Sequence, residues 1–378
     1  MKTLILDTRR VLSMLVGIGL LWLLVSCEEE ELGRANPGPS FDIDLFEQNI
    51  KDALTNHSVG FAYAINQNGM LEREGAVGKA RTEADGNVAM TVNTPINIAS
   101  VSKTITTVAA LRVLQDNPDV ELDDEIAPYL PLTWELGPGM DKVTFEELLS
   151  HTSGIEFSGG KNDQSYVNLK NIVKTGVTGP KTYEYSNVGI SLFRILIPNL
   201  QKKYTAPVDT NPDEEFAYIY WTYTMNVIFD PMSLTKAYLD EPDNAAFLYS
   251  YPDDGNDGQQ TGNWTLTSAA GGWFLSAHEL ARFMAHVRYN DGILSPATRA
   301  IMDEQKLGWT ETVEGDHGTY HAKGGALNYG DAPNIKGVRT IIINYPYGIQ
   351  AAVIVNSTEG QGYHLHATLR DAFDNAWH

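Results

Sequence analysis

A serine hydroxyl becomes a nucleophile only when a neighbouring base takes its proton. In Ser-x-x-Lys on a helix the two side chains share a face, so the amine reaches the hydroxyl. The chain carries this spacing three times, at Ser100/Lys103, Ser158/Lys161 and Ser233/Lys236. Ser158 is followed by Gly159-Gly160, which hold no rigid helix. Ser233 follows Asp230-Pro231 in a turn-like setting. Ser100 alone lies between a strand-like segment and an apolar helical one. A helix N-terminus there favours negative charge on the hydroxyl. An amine partly withdrawn from water loses its proton more easily and acts as a base.

Two further groups suit acyl transfer. Tyr-x-Asn occurs at Tyr166/Asn168 and Tyr185/Asn187. The second copy leads into an apolar helix over residues 190–200, whereas the first sits in a polar segment where no such helix is expected. A phenol at Tyr185 is suited to relay a proton to a leaving group, and the Asn187 amide to hold a substrate carbonyl. Lys323-Gly324-Gly325 is expected on an edge strand. A cation beside small residues leaves room for a substrate backbone to pair with that strand. The amide of Ala326 then joins that of Ser100 to hold a developing oxyanion.

Strand signals over residues 59–65 and 70–77 flank Asn68-Gly69, a strong hairpin signal. A short strand is expected at 94–98, then a helix at 101–114. The middle, to about residue 265, reads as helix and loop. It contains the capping-box pattern Thr144/Glu147; a second, Ser276/Glu279, follows it. Strands return at 338–345 and 349–356, before a terminal helix at about 364–376. Strands at both ends with helices between predict an α+β fold: an antiparallel sheet flanked by helices, with a mostly helical lobe at about 100–265. His364 and His366 are expected on the surface of the terminal helix. His317 and His321 are expected in a loop, and no metal site is expected. The aromatics at 216–229 are assigned to core packing, and the acidic residues of 240–260 to a solvated loop.

The 378 residues are 43% hydrophobic and 20% charged, enough apolar material for a large core. Lys2, Arg9 and Arg10 precede an apolar run over residues 11–25. Leu24-Val25-Ser26-Cys27 then resembles a bacterial lipoprotein lipobox. Residues 1–26 are therefore expected to be a signal peptide and Cys27 the lipidation site. Residues 27–40 form an acidic tether and linker, and 41–378 the folded domain. Cys27 is the only cysteine, so an intramolecular disulfide is excluded. The formal net charge of −21 opposes binding to nucleic acid. The expected location is the cell envelope, at the outer membrane or cell surface, held by the lipid anchor.

In this order the three motifs resemble the serine β-lactamases, penicillin-binding proteins and related esterases, closest to the class C branch with its tyrosine second motif. Leu148-Leu149-Ser150-His151-Thr152-Ser153-Gly154-Ile155, Pro231-Met232-Ser233-Leu234 and Ala269-Ala270-Gly271-Gly272 extend the resemblance over most of residues 41–378. It implies a β-lactamase/transpeptidase-like fold and a cofactor-free acyl-enzyme mechanism at Ser100, with Lys103 and Tyr185 moving protons. Asn187, Lys323, Gly324, Gly325 and Ala326 bind a small-molecule or peptide substrate in that scheme. His151 takes a structural hydrogen-bonding role. Gly324 departs from the pattern, because the family usually carries a hydroxyl residue there. That departure points to esters or D-peptides rather than efficient β-lactam hydrolysis. The rival class is a non-catalytic penicillin-binding sensor that keeps the fold.

Overall fold

The computed structural model describes residues 40–156, 163–201, 212–234, 236–358 and 364–378. The Cys27 segment and the Ser158/Lys161 pair lie outside these.

The first helix, α1 (Ile43–Thr55), starts where the Asp42 carboxylate accepts from the amides of Asp44 and Leu45. Phe46, Ile50 and Leu54, four residues apart, are its fully buried stripe. Strands β1 (Gly60–Gln67) and β2 (Met70–Arg81) follow as a hairpin, with Asn68 and Gly69 both at positive φ. Then come β3 (Val88–Ala89) and β4 (Ile96–Asn97). The helical lobe runs through α2 (Ser102–Gln115), α3 (Phe145–Leu149), α4 (Tyr166–Thr175), α5 (Asn187–Ser191), α6 (Phe193–Leu200) and α7 (Pro212–Thr224). After it lie β5 (Phe274–Leu275), α8 (Ala277–Tyr289), α9 (Pro296–Glu304), β6 (Glu311–Gly315), β7 (Gly318–Tyr329), β8 (Lys336–Asn344), β9 (Ile349–Val355) and α10 (Leu365–Asp374).

Among the described residues the main sheet is antiparallel, in the order β3-β2-β1-β9-β8-β7-β6. Strands from the two chain ends meet at its centre, where Phe61 faces Val355. Both faces are covered. Phe61, Tyr63 and Ile65 pack with α1 and α10, while the alternate Ala62 and Ala64 join the core shared with α8 and the helical lobe. That two-sided burial explains why the central strands read as continuous apolar runs.

Helix α2 is buried on nearly every side. Its threonines are satisfied internally: Thr104 Oγ1 donates to Gly308 O at 2.9 Å and Thr106 Oγ1 to Ala269 O at 2.6 Å. Both expected capping boxes form.

Three expectations need correction. Tyr166 does open a helix, α4, with Leu169, Ile172 and Val173 buried. Three apolar positions amid polar neighbours suffice because α4 needs to bury only one stripe. Within 240–260, Ala245, Leu248 and Tyr249 are fully buried. Tyr249 bridges to both Gly337 and Ser357, so this stretch is partly a packed segment. The strand carrying Lys323 is not the sheet edge, because β6 flanks β7. However, β6 pairs only as far as Ala322, so residues 323–329 face no strand on that side among the described residues.

Candidate active site

Ser100 sits in a 3-10 turn, Ala99–Val101, that runs directly into α2. Two contacts hold the turn from below. Strand β4 pairs with β5, and Ile98 N–H donates to Trp273 O at 2.9 Å. Ser102 Oγ accepts from the amides of Gly272 and Trp273 at 3.1 and 3.3 Å. Ala99 has φ 49°, an uncommon backbone for a residue with a Cβ, supported by its N–H donating to Asn97 Oδ1 at 2.9 Å.

Gly325 brings β7 against this turn. A Cβ there would lie 2.5 Å from Ile98 O and 3.0 Å from Ser100 N. Only glycine allows that approach. Thr340 on β8 completes the clamp, its hydroxyl donating to Ile98 O at 2.8 Å.

Lys103 stands in the first turn of α2, fully buried. Its Nζ lies 3.1 Å from Ser100 Oγ and donates to Ala270 O at 2.5 Å. Burial, and then the nearby Lys323, hold its pKa well below the usual lysine value. Among the described residues no carboxylate forms an ion pair with it to restore the proton.

Tyr185 closes the site from the helical lobe. Its hydroxyl hydrogen-bonds Ser100, and Lys103 Nζ and Lys323 Nζ stand 5.1 and 5.2 Å from its ring centre. Desolvation pushes the phenol up to about 12, the Ser100 contact opposing it. The group is therefore a phenol at neutral pH and has a proton to give. His151 positions it. Its Nδ1 accepts from Ser186 N–H at 3.2 Å, and its backbone carbonyl accepts from Glu184 N–H at 2.8 Å. The rings of His151 and Tyr185 are 4.8 Å apart. Burial, then Lys103 and Lys323, lower the imidazole to about 3, so it stays neutral and able to accept.

Tyr166 lies elsewhere. It accepts from Trp134 Nε1 at 2.8 Å and stacks on Phe216. Ser233 is in a turn with φ 56°.

Two clefts meet at Ser100. One, of about 420 Å³, is lined by Gln164, Asn187, Trp264 and Ala326. The other, of about 440 Å³, is lined by Tyr185, Glu311, Lys323, Gly324, Arg339 and His366. Lys323 is buried, which lowers its amine to about 7 against a smaller opposing effect of Glu311; it donates to Gly324 O at 2.6 Å.

Sequence reasoning missed Gln164, Glu311 and His366. Gln164 is fixed by Ser191 Oγ–H, which donates to its side-chain carbonyl. Its polar flanks gave no signal. His366, expected on the helix surface, instead turns into the cleft because α10 packs along the sheet beside β7. Its Nδ1 is 2.8 Å from Glu311 Oε2. A Cβ on Gly324 would sit 2.2 Å from its Nε2, so the imidazole fills the room that the glycine leaves. His321 is bound within the sheet to Thr312, and His317 stacks on Trp377. No metal-binding group of His, Cys, Asp and Glu occurs among the described residues.

The fold is similar to several solved structures. A β-lactamase/D-alanine carboxypeptidase from Pseudomonas syringae matches with TM-score 0.65 and 16% identity, over 88% of this chain and 98% of that one. FmtA from Staphylococcus aureus matches with TM-score 0.63 and 18% identity, over 88% and 89%. A D-stereospecific amidohydrolase from Streptomyces sp. matches with TM-score 0.59 and 19% identity, over 88% and 98%. No curated protein matches the sequence. The Beta-lactamase family model covers residues 46–375. With that match spanning most of the domain and a sheet-and-lobe fold holding a serine against a buried lysine, the chain belongs to the beta-lactamase family.

Proposed function

We propose that the chain is an exported, lipid-anchored serine hydrolase that cleaves esters or D-amino-acid amides through an acyl-enzyme at Ser100. The observation that carries this is the buried Lys103 amine 3.1 Å from Ser100 Oγ, with its proton affinity lowered. Lys103 takes the hydroxyl proton and Ser100 attacks the carbonyl. The amides of Ser100 and Ala326 hold the oxyanion. Tyr185 passes the proton to the leaving group, and water releases the acyl group. Asn187 and Gln164 line the cleft suited to the acyl part, and Lys323 the other. Structural neighbours named as a carboxypeptidase and an amidohydrolase support the substrate class.

The test is parallel labelling with a fluorescent phosphonate and a fluorescent penicillin, alongside turnover of p-nitrophenyl esters and a chromogenic cephalosporin. Steady ester turnover with slow cephalosporin hydrolysis is expected. Labelling of Ser100 without turnover of any substrate would make the protein a sensor instead.

Tyr185→Phe should lower kcat about 10²- to 10⁴-fold, the usual worth of a proton-transfer group. Tyr166→Phe should leave kcat nearly intact and cost about 1–3 kcal/mol of stability, because Trp134 Nε1 loses its acceptor. The reverse pattern in kinetics would transfer the second motif to Tyr166.

Cys27→Ala should release the protein from membranes, since it removes the only thiol available for lipid attachment. Cell fractionation with high-salt and carbonate washes reads this. Variant protein that still partitions with membrane would show that something other than the lipid anchors it.

A further inference from the structure

Acidic residues outnumber basic ones in this chain, 48 to 27, so a cation rarely lacks an acceptor. Among the described residues every arginine but one has a carboxylate, carbonyl or amide oxygen within hydrogen-bond distance. The exception is Arg282 on α8, which makes no hydrogen bond or ion pair with them. Its guanidinium has five N–H donors and no acceptor. Arg282 is half-buried and lines a cleft of about 210 Å³ between α8 and the β1–β2 hairpin, together with Asn66, Leu71, His278 and His286. His278, Arg282 and His286 recur every four residues on α8, so they share one face, their Cβ atoms about 5–6 Å apart in sequence order. None of the three lines either cleft at Ser100.

The neighbours of Arg282 are set as donors, and the carboxylates nearby are engaged. Asn290 Oδ1 accepts from Gly292 N–H at 2.9 Å, which turns its amide nitrogen toward His286 Nδ1 at 3.2 Å. That ring nitrogen accepts, so the His286 proton lies on Nε2 and can be donated. Glu74 is taken by His278 Nδ1 at 2.8 Å. Asp291, in an adjoining cleft of about 430 Å³ that also includes His286, is taken by Arg299 at 2.6 Å. Burial, and then the charge of Arg282, lower the His286 pKa, so the guanidinium's field reaches the ring. We propose that Arg282 and His286 form a phosphate-binding site, with the phosphate in the smaller cleft and any organic group attached to it in the adjoining one. A carboxylate is saturated by the guanidinium fork alone, whereas a phosphate still presents oxygens to a donor arriving from a second direction. The site is separate from the hydrolase reading of Ser100.

Calorimetric titration of the full chain with inorganic phosphate, at constant ionic strength, tests the assignment. Wild type should bind with a Kd of about 1 mM or tighter. Arg282→Gln should weaken binding about tenfold or more, as expected for lost hydrogen bonds to a charged group. Arg282→Lys should lose less, because it keeps the charge without the fork. His286→Phe keeps a ring but removes the N–H, and should weaken binding about fivefold. Since Arg282 bonds to no described residue, Arg282→Gln should melt like wild type without phosphate and hydrolyse esters at the wild-type rate. The same titrations with glucose 6-phosphate distinguish the two sources of the phosphate group.

Tighter binding of glucose 6-phosphate than of phosphate, lost in Arg282→Gln, would sustain the site and identify its occupant as a phosphate carried on an organic group. Equal binding of the two, with the same dependence on Arg282, would sustain it as a site for the free anion. No phosphate binding by wild type, equal affinity in wild type and Arg282→Gln, or acetate bound as tightly as phosphate would each overturn the proposal.

Discussion

Replacing Ser100 with alanine is expected to abolish covalent labelling by a fluorescent phosphonate and to lower ester hydrolysis by roughly 10⁴- to 10⁶-fold. That is the scale on which a serine hydrolase loses turnover when its nucleophile goes, the residue acting as a unit with its base. The substitution removes one oxygen from a half-buried side chain, so the fold should be unaffected. The 3-10 turn is held by Asn97, Ser102 and the β4–β5 pair, none of which uses the Ser100 hydroxyl. Lys103 keeps its bond to Ala270 O. Ser233→Ala is the control: Ser233 repeats the Ser-x-x-Lys spacing but sits in a turn remote from helix α2 in sequence, with φ 56°. It should label and turn over like wild type. Turnover that survives in Ser100→Ala, with labelling moved to another residue, would end the acyl-enzyme mechanism as placed here.

The second large effect is expected at Lys103. Lys103→Met should cut kcat about 10²- to 10⁴-fold while preserving the volume of the buried stem. Its stability should respond to pH in a defined direction. The amine's folded pKa lies well below its ordinary value of 10.5. The unfolded chain therefore binds a proton that the folded chain holds less readily. Folding is penalised at every pH below the unfolded amine's value, and the penalty fades only as pH rises toward that value. Methionine carries no such penalty. The variant's melting temperature relative to wild type should shift in its favour as pH falls from about 9 toward 6. Thermal melts across that range, paired with kinetics, read both effects. A pH-independent difference would mean that Lys103 is charged in the folded protein, and it could not then be the base.

The parts of this site that are legible in a sequence are those whose geometry is local. Ser100 and Lys103 are three residues apart, and the apolar run behind them reports α2 directly. Which tyrosine matters was harder. The preference for Tyr185 rested on the helix after it, yet Tyr166 also opens a helix. What separates the two is tertiary: Trp134 and Phe216 engage Tyr166, while His151 aims Tyr185 at Ser100. His366 was not legible at all. Nothing in Tyr363-His364-Leu365-His366 distinguishes a ring facing water from one facing β7. Its place in the cleft depends on where α10 docks and on the missing side chain at Gly324. Lys323 was placed on an edge strand because the short β6, with Glu314 and Gly315 near its turn, carries little apolar signal of its own.

The meeting of β1 and β9 at the centre of the sheet also bears on how the chain is made. Phe61 cannot find Val355 until nearly the whole domain has been synthesised. Such long-range pairing demands closure of an almost domain-sized loop before any contact repays it, which makes folding slow. The amino-terminal hairpin of β1 and β2 emerges first and has only one strand edge satisfied. The seven-stranded sheet therefore closes only once its carboxy-terminal strand, β9, has been made.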